Sequence, residues 1–329
     1  MKSQQLGRVP AVTALGLGAA QFGNLYRTTT DEECAAAVEA AWAAGVRYFD
    51  TAPHYGLGLS EQRLGAALAS RPRGEYVVST KVGRLLVPSP DTADRWDDEG
   101  FVVPARTRRA WDFSRDGVLR SLEASLDRLG LDRVDVVYLH DPDDHVEEAS
   151  TTAAAALVEL RDQGVVGAVG VGMNQSAAPA EIIRRADLDV VMLAGRYTLF
   201  EQGALRDLLP LALERGVRVV AAGVYNSGLL ARPEVPDDAH YDYGPAPRAV
   251  IERARAIAAV CERHGVTLSD AAVQFPLRHP AVASVVVGMR TAAQVSATVD
   301  RLAAPVPDSL WTDLAAAGLL DTTTAGASA

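Results

Sequence analysis

Four side chains in the first half of the chain could together move a proton: Asp50, Tyr55, Lys81 and His140. A tyrosine hydroxyl ionises near pH ~10, too high for a base at neutral pH. A lysine cation beside it favours the phenolate. An aspartate beside the lysine keeps that cation charged and oriented. A histidine in the same place can hydrogen-bond a substrate oxygen. The set offers one tunable general acid/base and one oxygen-positioning group. It contains no nucleophile–base pair and no metal cluster. Such chemistry suits proton transfer coupled to hydride transfer, with a nicotinamide carrying the hydride. Singly, each residue has an ordinary reading as a helix cap, a rim charge or a local hydrogen bond. Together they are harder to explain that way, because unpaired charges at buried strand ends are expensive.

Three of the four close apolar runs of strand length. Asp50 ends Tyr48-Phe49-Asp50, Lys81 ends Val77-Val78-Ser79-Thr80-Lys81, and His140 ends Val136-Val137-Tyr138-Leu139-His140. Tyr55 follows in the turn Thr51-Ala52-Pro53-His54-Tyr55. Eight runs are predicted as strands: 15–18, 48–50, 76–80, 135–139, 168–171, 190–193, 217–222 and 282–287. Several are unbroken Val/Leu/Ala rather than alternating, the habit of parallel strands buried on both faces. Helical period fills the gaps. Thr30-Asp31-Glu32-Glu33 is a capping box ahead of Val38, Ala41 and Trp42. Val118, Leu119, Leu122, Leu126 and Leu129 make one stripe that Gly130 stops. Further helices are expected at 151–160, 205–213 and 251–260, ending at Gly164, Gly216 and Gly265. The alternation predicts an α/β fold, a single (β/α)8 TIM barrel over 1–329 with a flexible tail at about 322–329. Its rim would gather Asp50, Lys81 and His140. A doubly wound sheet is the alternative. Its phosphate fingerprint is missing, since both Gly16-Leu17-Gly18-Ala19-Ala20-Gln21 and Gly170-Val171-Gly172-Met173-Asn174-Gln175 lack the third glycine.

Composition excludes other classes. Of 329 residues, 48% are hydrophobic and 22% charged, as in folded globular chains rather than disordered or fibrous ones. Acidic residues number 42 against 32 basic, a net charge of −10 with no broad attraction for nucleic acid or an anionic membrane. No uncharged apolar run approaches the roughly 20 residues of a membrane span. Lys2, Arg8 and the apolar stretch to Phe22 imitate a secretory leader, but Gly16, Gly18 and Gly23 would make a poor leader helix. Cys34 and Cys261 show no paired or zinc-like spacing and read as reduced thiols of a cytoplasmic protein. Two long loop-like stretches follow strands: 81–114, with Trp96, Phe101 and Trp111, and 226–247, with Tyr241 and Tyr243. Both should lie at the C-terminal face, where they suit a substrate pocket. His54 reads first as a loop residue, with a place in the site as the alternative. His145 reads as solvent-facing, and His264 and His279 as surface or capping groups.

The sequence resembles the aldo-keto reductase superfamily through Phe49-Asp50-Thr51-Ala52-Pro53-His54-Tyr55-Gly56, Ser79-Thr80-Lys81-Val82-Gly83 and Leu139-His140. The resemblance runs from Leu15 to about Leu302. It implies Asp50, Tyr55, Lys81 and His140 as the catalytic tetrad. Gly83-Arg84-Leu85-Leu86, Asp112-Phe113-Ser114, His140 to His145, Gly172 to Gln175, Ala194 to Leu199 and Tyr225 to Leu230 narrow the likeness to one branch. That branch holds the L-fucose (D-threo-aldose) 1-dehydrogenases and pyridoxal 4-dehydrogenase.

What the resemblance implies for the cofactor is mixed. The expected contacts are Asn174, Ser227, Gly228, Leu229, Gly288, Arg290 and Gln294, with Trp111, Arg196 and Tyr225 on the substrate side. NADPH-using relatives place a lysine, a serine and an arginine around the 2′-phosphate, where this chain has Gly288, Met289 and Gln294. Losing two cations weakens a dianion site, so the balance tilts to NAD, with NADP possible and Arg290 as the one compensating cation. Gln294 also completes a capping box with Thr291. The relatives' amide-binding glutamine is Ala194 here and their stacking tyrosine is Ala222, so those contacts do not carry over. Tyr225 is a candidate to take over stacking. The expected activity is oxidation of the C1 hydroxyl of a cyclic aldose to a lactone. Pyridoxal oxidation, NADPH-linked aldehyde reduction and a nucleotide-binding regulatory module on the same fold are the alternatives.

Overall fold

The structure, a computed structural model, describes residues 2–242 and 244–321. Tyr243 and the tail at 322–329 lie outside the described residues. Eight parallel strands close a barrel in chain order: β1 (Leu15–Gly18), β2 (Tyr48–Asp50), β3 (Val77–Val82), β4 (Val136–His140), β5 (Ala168–Met173), β6 (Val190–Ala194), β7 (Arg218–Ala222) and β8 (Val282–Gly288). Each expected run is there, displaced by two residues at most. Most strand residues are buried on both faces, which is why the runs carry no alternation.

One apolar layer lies between the strands and the surrounding helices, and another fills the barrel. The Thr30 capping box forms in both directions, Glu33 N donating to Thr30 Oγ1 at 3.1 Å and Thr30 N to Glu33 Oε2 at 2.9 Å. Helix Arg115–Leu129 buries Val118, Leu122 and Leu129 and ends at left-handed Gly130. The helix expected from Leu205 starts instead at Leu208, after a short turn Gly203–Arg206. Pro210 explains the shift. In the first turn its missing N–H costs nothing, whereas a helix begun at 205 would place it inside. The 151–160 helix opens with a π-type segment, Ala149–Ala153, before Ala154–Asp162.

Three short two-stranded sheets lie outside the barrel among the described residues. Ser3–Gln4 pairs with Val12–Thr13, and this hairpin packs Leu6, Val9 and Val12 into the barrel interior. The stretch 81–114 is not a plain loop: Arg84–Pro88 and Thr107–Trp111 form an antiparallel ladder. Arginine-rich Thr107-Arg108-Arg109-Ala110-Trp111 hides that strand from a hydrophobicity reading. The stretch 226–247 carries a minimal ladder between His240–Tyr241 and Gly244–Pro245. No helix among the described residues is long and apolar enough to cross a membrane. Both thiols are buried and free, and burial pushes Cys34 up to about 11 and Cys261 up to about 12.

Candidate active site

Strand alternation builds the site. Residues two apart share a face, so Tyr48 and Asp50 on β2, Ser79 and Lys81 on β3, and Tyr138 and His140 on β4 all turn into the barrel. Cross-strand register aligns them: Asp50 lies opposite Ser79, and Lys81 opposite Tyr138. The upper layer is therefore Asp50, Lys81 and His140, all buried. Lys81 Nζ donates to Asp50 Oδ2 at 2.7 Å, to Thr51 O at 2.9 Å and to Tyr55 Oη at 3.2 Å.

Tyr55 arrives from the turn after β2. Gly56, Leu57 and Gly58 are all left-handed, which folds the chain back over the rim before helix Leu59–Leu68. A Cβ on Gly56 would come within 2.3 Å of Gly23 O, so this turn can only pack here as glycine. Buried Glu61 then ties the helix down, accepting from Thr80 Oγ1 at 2.7 Å and Arg128 Nε at 2.6 Å.

The electrostatics divide the roles. Burial disfavours the Lys81 cation, but Asp50 and Tyr55 more than compensate, and its pKa is held above the ordinary value. Burial also dominates at Tyr55. Lys81 opposes it, yet the hydroxyl stays above its ordinary value, so Tyr55 rests as the neutral phenol. The expected pull of Lys81 toward the phenolate is present, but burial outweighs it. Burial, with Arg84 and Lys81 nearby, holds His140 well below its ordinary value and therefore neutral.

A groove of about 640 Å³ opens beside this layer, lined by Tyr225, Ser227, Gly228, Gly288, Gln294 and Arg301 among others. It adjoins the tetrad through one row of paired residues: Gly288 opposite Gly18, and Gly18 opposite Asp50. Two buried polar atoms have no protein partner: Gln21 Oε1, beside Gly288, and His140 Nδ1, within the tetrad. A Cβ on Gly288 would fall 2.4 Å from the Gln21 amide, so bare glycine keeps this approach open. These features fit a polar, elongated ligand such as a nicotinamide nucleotide.

The remaining expected residues are placed unevenly. Ser227, Gly228, Gly288 and Gln294 come together on the groove, and Tyr225 joins them there, with the Arg301 guanidinium 5.7 Å from its ring. Leu229 is 1% exposed and belongs to the apolar core. Half of the expected capping box forms, Gln294 N donating to Thr291 Oγ1 at 3.3 Å, while Gln294 Oε1 accepts from Arg290 N at 2.7 Å instead of from Thr291 N. Arg290 is only 6% exposed, and its guanidinium donates to Leu25 O at 2.7 Å, to Arg27 O at 3.0 Å and to Thr29 Oγ1. Arg196 braces the Asn174 carbonyl at 2.7 Å and pairs with Asp242 at 2.8 Å. Trp111 stands 49% exposed at the end of the inserted ladder, with Arg84 over its ring at 4.5 Å. His145 is not simply solvent-facing, since it packs against Phe113 at 5.2 Å and Trp111 at 5.7 Å.

Sequence reasoning missed Arg84, Arg109 and Arg301. Arg301 had a signal, lying seven residues after Gln294 and so on the same helix face. Arg84 had one too, lying in the Gly83-Arg84-Leu85-Leu86 stretch of the family likeness, whereas Arg109 had none, because its approach depends on the unforeseen ladder. Arg84 Nη2 donates to Asp141 Oδ2 at 2.6 Å, and Arg109 Nε to His54 Nδ1 at 2.7 Å.

Comparison with known proteins accords with this geometry. A D-threo-aldose 1-dehydrogenase of Pseudomonas sp is 50% identical over 315 residues, covering 95% of this chain and 96% of that protein. Pyridoxal 4-dehydrogenase of Microbacterium luteolum is 38% identical, covering 97% and 98%. Among solved structures, an aldo-keto reductase of Bacillus halodurans in its holo form superposes with a TM-score of 0.75 at 26% identity, over 98% of this chain and 97% of that one. The family profile described as "Aldo/keto reductase family" matches residues 14–318. With the tetrad gathered at the rim of a closed barrel and a match over nearly its whole length, the chain belongs to the aldo/keto reductase family and is an NAD(P)-dependent oxidoreductase acting on CH–OH.

Proposed function

We propose that the protein oxidises the C1 hydroxyl of a cyclic aldose of the L-fucose type to its lactone, with NAD as the preferred cofactor. The observation that carries the chemistry is the 3.2 Å contact from Lys81 Nζ to Tyr55 Oη, with Asp50 behind the lysine. The substrate class comes from the Pseudomonas relative, whose likeness extends over 95% of this chain.

A bound nicotinamide supplies the hydride acceptor, and the groove residues Ser227, Gly228, Gly288 and Gln294 would hold its nucleotide. The chain itself handles the proton. In oxidation Tyr55 Oη takes the proton of the C1 hydroxyl, and so must first be ionised. Lys81 is the group that favours ionisation, against burial and Asp50. Neutral His140 donates a hydrogen bond to the same substrate oxygen. In the reverse direction the phenol gives its proton to a carbonyl oxygen.

The preference for NAD rests on the row Gly288, Met289 and Arg290. The first two bring no charge, and the third is committed to backbone carbonyls beneath the surface. The buried, protonated thiols suit a reducing compartment, and we place the enzyme in the cytoplasm. The whole chain, 1–329, is taken as one barrel unit with a small-molecule substrate. The test is to incubate the protein with NAD or NADP and a panel of aldoses and pyridoxal while following reduced nicotinamide. Turnover of pyridoxal without turnover of any aldose would replace this reading.

A further inference from the structure

His54 sits in the turn that delivers Tyr55, and the tetrad uses neither of its nitrogens. Its ring centroid lies 5.4 Å from that of His140 and 5.8 Å from that of Tyr55. Arg109 Nε donates to His54 Nδ1 at 2.7 Å, and Arg84 Nη1 stands 3.4 Å from the same atom. A guanidinium has donors only, so Nδ1 must carry the lone pair and Nε2 the proton. Among the described residues Nε2 has no partner.

Much of the inserted ladder serves this ring. Arg109 is held by Asp97 at 2.5 Å and 3.1 Å and also donates to His54 O at 2.9 Å. The Arg109 and Asp97 side chains are only 9% and 3% exposed. Phe101 closes on the ring edge-on, with centroids 5.2 Å apart. Burial and the nearby Arg84, Arg109 and Lys81 lower the pKa of His54 to about 2, so the ring stays neutral. Glu99 lies 3.7 Å from Nδ1, but Arg109 already occupies that lone pair. A buried ion pair is a costly way to hold a loop histidine unless its tautomer matters.

We propose that His54 Nε2–H is a specificity-determining donor that binds the hydroxyl on the carbon next to the reacting one. The enzyme then prefers α-hydroxy carbonyls and their cyclic or reduced forms over the deoxy analogues. The inference rests on the aldose reading above and narrows it. Tyr55 and His140 hold the reacting oxygen, and the His54 ring, its tautomer fixed by Arg109, stands beside both of theirs. A site built to hydrogen-bond a hydroxyl rejects the analogue that lacks it, because its buried donor is left unpaired.

The experiment measures kcat/KM for two pairs: L-fucose and its 2-deoxy analogue in oxidation, and lactaldehyde and propanal in reduction. The hydroxylated member should be better by at least about tenfold in wild type. His54→Phe keeps the ring but removes the N–H, and should abolish the preference by lowering only the hydroxylated member. His54→Gln keeps a donor at the same reach and should retain the preference. His54→Met, of glutamine's length without the N–H, replaces phenylalanine if that variant does not fold. NADH binding, followed by fluorescence, should be unchanged in all of them. Equal losses for both members, a preference that survives His54→Phe or His54→Met, or no preference in wild type would each overturn the proposal. A wild type that oxidises neither sugar yet separates lactaldehyde from propanal through His54 would sink the aldose reading and leave the donor standing.

Discussion

Ser79 Oγ donates to Asp50 Oδ1 at 2.6 Å, the carboxylate oxygen that Lys81 leaves free. A carboxylate only accepts, so it claims the single Ser79 proton. Tyr48 Oη, 3.1 Å from Ser79 Oγ, must then give its own proton to that oxygen, and Tyr138 Oη, 3.0 Å further on, gives its proton to Tyr48. A buried chain of hydroxyls thus points at Asp50 from inside the barrel. Asp50 is held on one side by these donors and on the other by the lysine that faces Tyr55.

Ser79→Ala removes the donor from a buried carboxylate and breaks the chain at its first link. Leaving such a group short of a partner costs about 1–3 kcal/mol. A urea melt should show a loss of that order. Turnover should fall as well, because Asp50 is freer to turn and Lys81 follows it. Unchanged stability and turnover would mean that Asp50 needs no support from below.

Tyr55→Phe keeps the ring and removes the hydroxyl that Lys81 contacts at 3.2 Å. General acid–base groups contribute about 10²- to 10⁴-fold, and kcat should drop by at least that much. Nucleotide binding should survive, since the groove lies across β1 from this turn. Near-normal turnover would remove Tyr55 from the mechanism.

Lys81→Met bears on the direction of a pKa. Burial and Asp50 raise the Tyr55 pKa, and Lys81 is the main influence lowering it. Without the cation the phenol must ionise at still higher pH. The rising limb of the oxidation pH–rate profile should therefore move to higher pH, and the falling limb of reduction, which uses the phenol, should move with it. A profile of the same shape at reduced height would show that Lys81 only positions Tyr55.

The barrel was legible because its strands are unbroken runs such as Val136-Val137-Tyr138-Leu139, and burial on both faces produces that pattern. The tetrad was legible because Asp50, Lys81 and His140 each sit at or next to the end of such a run. His54 was harder. Nothing local distinguishes a loop histidine from a site histidine, and its partner Arg109 is 55 positions away on a charged strand. The pKa of Tyr55 was misjudged in balance rather than in kind: the lysine does lower it, but the depth of burial is not written in the spacing. The burial of Arg290 is hidden from the sequence in the same way. Its position suits a phosphate clamp, while three acceptors contributed by Leu25, Arg27 and Thr29 turn its guanidinium inward.

That inward turn makes the cofactor prediction sharp. A 2′-phosphate near Gly288 and Met289 loses hydration and meets no cation from either residue. Charge-assisted hydrogen bonds are worth about 1.5–3 kcal/mol each, so one missing contact shifts preference by roughly 10- to 100-fold. kcat/KM with NAD should exceed that with NADP by such a factor. Arg290→Ala should leave the ratio unchanged and lower Tm, because it strips donors from buried acceptors rather than from the ligand. Arg301, which lines the groove beside Tyr225, is the control on the other side. Its replacement by methionine should weaken both cofactors alike. A wild type that prefers NADP, with the preference erased by Arg290→Ala, would show that the guanidinium swings out to the phosphate and that NAD is the wrong assignment.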